Sequence, residues 1–118
     1  MRPPLPDNPK KAFGDEKPCA HFLVMSVFKG VAEVMSVGAK KYGLRNWRKQ
    51  PVRASTYYDG MLRHIDQWYN DLEDADAETG RHHLEHVIAN AMILLDGMNH
   101  GMIDDRNDCE VLTGGIGE

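Results

Sequence analysis

The sequence predicts an all-α fold, a small bundle of three main helices. Three segments carry apolar residues at helical spacing and contain no proline, and no stretch alternates apolar and polar residues as a half-buried strand would. The length of 118 residues favours a single domain. Helices with wide apolar stripes on so short a chain bury more surface when copies associate, so we expect oligomerisation to complete the bundle, in a homodimer or a homotetramer.

The predicted helices cover residues 21–42, 54–72 and 77–98. The first ends at Gly43, the type of residue that often follows a helix. The second begins near Ser55 or Thr56, which are good N-cap residues. Its apolar stripe consists of Tyr58, Met61, Leu62, Ile65, Trp68, Tyr69 and Leu72. The third helix has Asp76 as its predicted N-cap.

The helical domain is predicted to cover residues 19–103. Residues 1–18 contain five of the six prolines, which fix the backbone and remove hydrogen-bond donors, so we expect an extended arm there. Residues 104–118 end in a glycine-rich run and are expected to form a flexible tail.

Composition limits the possible partners and compartments. Eighteen acidic against fourteen basic side chains give a formal charge of −4, which disfavours nucleic-acid binding because a duplex binder needs a basic face. No apolar run approaches the roughly 20 residues of a membrane span, and the first residues lack the apolar region of a secretory signal. Cys19 and Cys109 are interpreted as free thiols. These features predict a cytoplasmic protein that binds neither nucleic acid nor membranes.

Polar residues border the apolar stripe of the third helix. Thr79, His83, His86 and Asn90 fall on one narrow strip of that helix. Two histidines at i, i+3 can converge on one metal ion or one phosphate group. They can also be partly buried histidines that donate hydrogen bonds to carbonyl groups, and the spacing leaves both interpretations open.

Carboxylates gather just before this helix, at Glu73, Asp74, Asp76 and Glu78. They form either a solvated acidic turn that complements a helix N-terminus or, with the nearby imidazoles, a site for Mg²⁺, Mn²⁺ or Co²⁺. Glu33 in the first helix is either a further metal ligand or a member of surface salt bridges. His64 in the second helix is either a core histidine or a site residue.

A basic and aromatic segment joins the first two helices. It contains Lys40, Lys41, Tyr42, Arg45, Asn46, Trp47 and Arg48. Cations neutralise phosphate oxygens, and an aromatic ring offers a face for a nucleobase. The same residues also fit a basic helix end followed by an aromatic anchor for the loop. A cationic corner combined with an acidic metal-binding turn meets the needs of a nucleoside triphosphate site.

Two runs of residues resemble a known family. The first is residues 33–43, followed by Arg45, Asn46 and Trp47. The second contains His64, Trp68, Glu73, Asp76, Glu78, Gly80, His83, His86 and Asn90. In order, over roughly residues 31–95, they resemble the phage dATP/dGTP diphosphohydrolases, which include the MazZ group of the MazG-like all-α nucleotide pyrophosphohydrolases.

This resemblance implies metal-dependent cleavage of a purine deoxynucleoside triphosphate, dGTP or dATP, between the α- and β-phosphates. The products would be the monophosphate and pyrophosphate, and in some phages the monophosphate can feed synthesis of 2-aminoadenine in the cytoplasm of the host cell. The resemblance also implies two or more divalent ions, and a dimer or tetramer with the site assembled between helices.

The resemblance and the charge pattern together assign roles to individual residues. The expected metal ligands are Glu33, Glu73, Asp76, Glu78, His83 and His86. The expected substrate-binding residues are Lys40, Lys41, Tyr42, Arg45, Asn46, Trp47, His64 and Asn90. Glu33 or Glu73 would orient or deprotonate the attacking water, and Lys41 would stabilise the charge that develops on the leaving group. The usual MazG-like signature places acids on the third helix, where this sequence has histidines and an asparagine.

Two other classes compete with this interpretation. A non-catalytic nucleotide-binding or interaction protein would leave the acidic turn merely solvated. An HD-type phosphohydrolase is also helical and uses His and Asp, but it needs a contiguous His-Asp pair. Here the nearest such pair, His64 and Asp66, is interrupted by Ile65.

Overall fold

The computed structural model describes Pro9 and residues 17–107, and three α-helices form the body of this part of the chain. Helix α1 spans Met25–Tyr42, α2 spans Ala54–Tyr69 and α3 spans His83–Asn99. Short 3₁₀ turns lie at Ala20–Phe22 and Asn46–Arg48, and the two-residue strands β1 (Val52–Arg53) and β2 (Ile103–Asp104) pair in parallel. The predicted all-α class with three main helices is confirmed; the strands are too short for any alternating pattern to reveal.

The third helix begins later than the sequence predicted, at His83. His82 is its N-cap: its Nδ1 accepts a hydrogen bond from the Leu84 N–H at 3.0 Å, and the Glu85 carboxylate accepts one from the His82 N–H at 3.1 Å. This reciprocal capping satisfies donors that the helix itself leaves free. Asp76 is therefore not the cap, and it lies in the loop between α2 and α3.

A backbone N–H group in the first turn of α2 donates its hydrogen bond to a residue from the far end of the described chain. Arg53 occupies the N-cap position, but its side chain makes no capping hydrogen bond. Instead, the Asp105 carboxylate accepts hydrogen bonds from the N–H and the hydroxyl of Ser55. Ser55 is thus not the N-cap residue. The hydrogen bond that an N-cap side chain would accept is accepted instead by Asp105, which lies outside the helix. Residues 104–107, assigned by the sequence to the tail, contact the helical domain here.

Other boundaries shift by a few residues. The segment around His21 forms a 3₁₀ turn instead of the first turn of α1, and α2 ends at Tyr69. The rest of the expected arm, apart from Pro9 and residues 17–18, lies outside the described residues. So do residues 108–118 of the expected tail, including Cys109.

The face of α2 that turns inward is the polar one. Tyr57, Gly60 and His64 are buried or half-buried, whereas Tyr58 and Leu62 of the predicted apolar stripe are exposed. A side chain at Gly60 would bring its Cβ to 3.4 Å from the Asn90 amide nitrogen, so this position of α2 faces α3 directly. Of the predicted stripe, Met61 and Trp68 are half-buried and the other five residues are exposed in the single chain, because the face of α2 turned toward α3 carries the polar site.

The apolar core is small for a chain of this length. Among the described residues, the buried hydrophobic side chains are Val31, Trp47 and Ala89. A groove of about 1,110 Å³ between α2 and α3 is lined by Tyr58, Met61, Leu94, Leu95, Met98 and Ile103, with polar residues at one end. Within the described part of the chain, no helix has the length and apolar character needed to cross a membrane.

Candidate functional site

A cavity of about 280 Å³ opens where α1 and the basic loop after it face α3. Its polar lining consists of Lys41, Arg45, Asn46, His64, Asp76, Glu78, Thr79, His86 and Asn90. Its apolar lining includes Val34, Met35, Trp47, Tyr57, Ala89 and Ile93. An apolar hollow with a few convergent polar groups is the usual form of a small-molecule site.

At one side of this cavity, three histidines and one carboxylate meet; we call His64, Asp76, His83 and His86 the histidine cluster. The Nδ1 atoms of His64 and His83 are 2.8 Å apart and share a hydrogen bond. The rings of His64 and His86 are stacked, with centroids 4.3 Å apart and planes 5° apart. The side chains come from α2, from α3 and from the loop between them, so the fold assembles the cluster.

The donor atoms of this cluster fit a divalent cation. One ligand atom from each of His64, Asp76 and His83 lies within 4.8 Å of the other two. A set of two imidazoles and one carboxylate suits a first-row ion such as Mn²⁺ or Co²⁺ better than Mg²⁺, which prefers oxygen ligands. The metal ion that the family resemblance implies is thus compatible with these residues.

His83 supplies a second observation that points to a ligand. Its side chain is 1% exposed, and its Nε2 is buried with no hydrogen-bond partner. The Glu73 carboxylate is 3.8 Å from this nitrogen, beyond hydrogen-bond distance. Buried polar atoms without partners are rare because each costs free energy. If His83 donates from Nδ1 to His64, Nε2 carries a free lone pair, the form that binds metal ions.

The Asp76 carboxylate is held in its ionised form. Its Oδ2 accepts hydrogen bonds from the N–H of Thr79 at 3.0 Å and from the Thr79 hydroxyl at 3.1 Å. Burial raises the pKa of Asp76, but these two bonds and the neighbouring His86 and His64 lower it by more. The net pKa of Asp76 therefore lies below its ordinary value.

The histidines at the cavity are held in their neutral form. Burial lowers the pKa of His64, and the neighbouring His86 lowers it further. Burial also lowers the pKa of His86, although the nearby Asp76 opposes that shift. Neutral imidazoles beside an ionised carboxylate are in the protonation state that metal binding requires.

The basic corner predicted from the sequence lies at the same cavity. Lys41 forms an ion pair with Glu78, and this contact joins the end of α1 to the loop before α3. The hydrogen bond that Lys41 donates to Glu78 raises the pKa of Lys41. Arg45 also lines the cavity and has no ion-pair partner within the described part of the chain. A polyphosphate that entered this cavity would meet the unpaired guanidinium of Arg45 and the ammonium of Lys41, which is already paired with Glu78.

Trp47 has two roles at this corner. Its ring is buried and lines the cavity, while its indole N–H donates to the Asp96 carboxylate at 2.7 Å. Arg48 donates to both oxygens of Asp96, at 2.7 and 2.8 Å. The loop anchor considered in the sequence interpretation is therefore present, and it fixes a ring on the cavity wall.

Four of the predicted site residues do not line the cavity. Glu33 is exposed on α1 and lies near Arg81, which binds Glu85. Lys40 and Glu73 are exposed, and His83 belongs to the histidine cluster without lining the cavity. The remaining predicted residues, from both the metal-binding and the substrate-binding sets, lie on the cavity wall.

Two residues of the site had no predicted role. Thr79 bridges Asp76 and His86 through its hydroxyl. Tyr57 lines the cavity, and burial raises its pKa. Tyr57 precedes His64 by two helical turns on the same face of α2, a signal that could have identified it.

Comparison of the sequence with known proteins places the chain beside one group of enzymes. The chain matches a family described as "dATP/dGTP diphosphohydrolase, N-terminal" over residues 7–106. It is 30% identical over 88 residues to a dATP/dGTP diphosphohydrolase of Salmonella phage PMBT28, an alignment that covers 75% of this chain and 29% of that relative. The chain thus spans less than a third of the length of this relative. No solved structure matches the chain significantly.

Proposed function

The chain belongs to the dATP/dGTP diphosphohydrolase N-terminal family, and from this membership we propose that it forms the nucleotide site of a metal-dependent hydrolase. The proposed reaction cleaves dGTP or dATP between the α- and β-phosphates and gives the monophosphate and pyrophosphate. The observation that carries the proposal is a single cavity whose wall combines Lys41 and Arg45 with three members of the histidine cluster, His64, Asp76 and His86. In a phage that makes 2-aminoadenine, the monophosphate would feed that synthesis.

The substrate is proposed to lie along this wall, with its phosphates toward the charged residues. Lys41 and Arg45 bind phosphate oxygens, and Lys40 adds positive charge at the end of α1. Triphosphate oxygens compete with Glu78 for Lys41, because both groups are anionic. Once released, the Glu78 carboxylate is available to the histidine cluster nearby.

The base is proposed to occupy the apolar part of the cavity. Trp47 and Tyr42 offer ring faces for stacking, and the Trp47 ring is fixed by its bond to Asp96. Asn46 and Asn90 supply amide donors and acceptors on the same wall. Hydrogen bonds of this type distinguish purines from one another when the site is otherwise apolar.

His64, Asp76 and His83 are the proposed core of the metal site, and Glu73, Glu78 and His86 lie beside them as further ligands. A bound ion would replace the hydrogen bond between the Nδ1 atoms of His64 and His83, because that bond occupies the lone pair of one of the two rings. When bound, a divalent ion supplies charge neutralisation for the triphosphate and lowers the pKa of a water molecule. The Glu73 carboxylate, exposed and close to His83, is proposed to orient the attacking water and accept its proton. Glu33 is proposed as a second such group and as a ligand on the strength of the sequence pattern alone.

An oligomer is proposed to cover the apolar groove between α2 and α3. Leu95 in that groove is 65% exposed, and few hydrophobic residues of the described chain are buried. Apolar surface of this extent is typical of an interface. A homodimer or homotetramer would bury it.

Product analysis tests the proposed reaction. The protein is incubated with each of the eight common ribo- and deoxynucleoside triphosphates and with Mn²⁺, Co²⁺ or Mg²⁺ in turn. We expect pyrophosphate and the monophosphate from dGTP or dATP. Release of orthophosphate would contradict the position of cleavage, and nucleotide binding without any product would favour the non-catalytic alternative.

A further inference from the structure

We propose that Thr79 is a positioning residue of the histidine cluster: its hydroxyl selects one tautomer of His86 and leaves one oxygen of Asp76 free for a ligand. The inference rests on the proposed function only for the identity of that ligand, a divalent cation. The sequence placed Thr79 on a polar strip without giving it a role, and its role follows from its contacts.

Thr79 makes an unusually complete set of hydrogen bonds for one small side chain. Its N–H and its hydroxyl both reach Oδ2 of Asp76, at 3.0 and 3.1 Å. The same hydroxyl oxygen is 2.7 Å from Nε2 of His86 and accepts a bond from the Arg81 N–H at 3.2 Å. Thr79 therefore connects the carboxylate of the cluster to one of its imidazoles.

The direction of these bonds follows from the chemistry of the groups. An ionised carboxylate only accepts hydrogen bonds, and a hydroxyl has a single proton to donate. Because the Thr79 proton goes to Asp76, the bond to His86 has to be donated by the imidazole, from Nε2–H. A neutral His86 then carries its free lone pair on Nδ1.

The same contacts engage only one of the two carboxylate oxygens of Asp76. Both bonds from Thr79 go to Oδ2, and Oδ1 has no hydrogen bond within the described part of the chain. Two acceptors of the cluster are then without a hydrogen atom, Oδ1 of Asp76 and Nδ1 of His86, and the buried Nε2 of His83 beside them has no hydrogen-bond partner. Bare acceptors gathered in this way favour a cation.

The backbone fixes where the Thr79 hydroxyl lies. Gly80 adopts φ of 71°, a conformation that favours glycine, and its N–H donates to the Asp76 carbonyl at 2.7 Å. This tight turn holds residues 76–80 together, so that the side chain at position 79 does not depend on a flexible loop. Outer residues that orient ligands in this way typically contribute 10–100-fold to metal affinity or activity.

The test uses a matched pair of variants, Thr79→Ser and Thr79→Val. Serine keeps the hydroxyl, whereas valine keeps the shape and removes it. Nitrogen-15 NMR of the metal-free protein reports which ring nitrogen of His86 carries the proton, and calorimetry with Mn²⁺ alone reports affinity. We expect the Nε2–H tautomer in the wild type and in Thr79→Ser. In Thr79→Val we expect loss of that tautomer preference and roughly 10–100-fold weaker Mn²⁺ binding.

Two results would overturn the proposal. One is a wild-type His86 that carries its proton on Nδ1, which decides the matter even if Thr79→Val does not fold. The other is a folded Thr79→Val protein with the wild-type tautomer and affinity. Both measurements are made without nucleotide, so a failure of the proposed hydrolysis would leave them unchanged and would be recognised separately.

Discussion

Two carboxylates, Asp76 in the loop before α3 and Asp96 on α3, both have pKa values below the ordinary range, yet their surroundings differ. Asp96 uses both oxygens: Arg48 binds them in a two-point contact and Trp47 adds a third hydrogen bond. The hydrogen bond from Arg48, followed by that from Trp47, lowers the pKa of Asp96. Asp76 is bonded on one oxygen only, and its hydrogen-bond donor is the neutral Thr79.

The difference separates a structural carboxylate from one suited to a ligand. The charge of Asp96 is matched by a guanidinium, and the result is a contact that ties the basic loop to α3. Within the described residues, no Lys or Arg forms a hydrogen bond with Asp76, and its neighbours are neutral imidazoles. A carboxylate with a free oxygen and no cationic partner attracts a positive ion.

The largest expected effect comes from Asp76→Asn. The amide keeps the shape of the side chain but removes its charge, so we expect Mn²⁺ affinity and turnover to fall by more than about 100-fold, beyond the loss typical of a residue that only orients ligands. Calorimetry and pyrophosphate release measure the two quantities. Asp96→Asn is the matched control, and it should bind Mn²⁺ with nearly wild-type affinity. Equal losses of Mn²⁺ affinity in Asp76→Asn and Asp96→Asn would contradict the proposed difference between the two carboxylates.

Glu33→Gln tests a role that rests on the sequence pattern. If Glu33 is a ligand or orients the water, most turnover should disappear while circular dichroism shows unchanged helix content. Glu33 lies near Arg81 and outside the cavity lining, so a loss of turnover in this variant would be strong support for the predicted role. Hydrolysis close to that of the wild type would exclude Glu33 from the metal site and leave Glu73 as the proposed base.

Asp96→Asn should in turn lower the melting temperature by several degrees, because it breaks the two-point contact with Arg48 that joins two distant parts of the chain. Thermal unfolding at neutral pH measures this shift. The structural interpretation of Asp96 would be wrong if Asp76→Asn lowered the melting temperature more than Asp96→Asn does.

The pH dependence of stability sharpens the same contrast. The folded-state pKa of Asp96 is depressed, so its contribution to stability is complete above its unfolded pKa of roughly 3.9 and is lost as the pH falls toward the folded value. The wild type should therefore lose stability steadily below about pH 5, and Asp96→Asn should lose less over the same interval. Parallel acid-unfolding curves for the two proteins would contradict this assignment.

The smallest effect on chemistry is expected from the apolar groove. Leu95→Lys places a charge in the groove between α2 and α3 and should shift the protein toward a monomer, as measured by light scattering. Leu72→Lys, at an exposed leucine outside the groove, is the control. A wild type that is monomeric at micromolar concentration would remove the proposed oligomer.

The sequence predicted the three helices, the family and most of the polar residues that line the cavity, because helical periodicity and local charge patterns are visible along the chain. It misplaced the start of α3, where a histidine is the N-cap in place of the usual Ser, Thr or Asp. It also missed the polar inward face of α2, because hydrophobic patterning assumes that a buried face is apolar. His64, which was expected to bind substrate, lies on the cavity wall, but its hydrogen bond with His83 is a pairing between two helices that residue spacing alone does not reveal.

The most direct test of the account is an anomalous scattering map from crystals soaked with Mn²⁺ and a non-hydrolysable dGTP analogue. We predict a manganese peak in direct contact with Asp76 and with the imidazoles of His64 and His83, and phosphate density between that peak and Lys41. Manganese bound elsewhere, with no peak at the histidine cluster, would contradict the central claim.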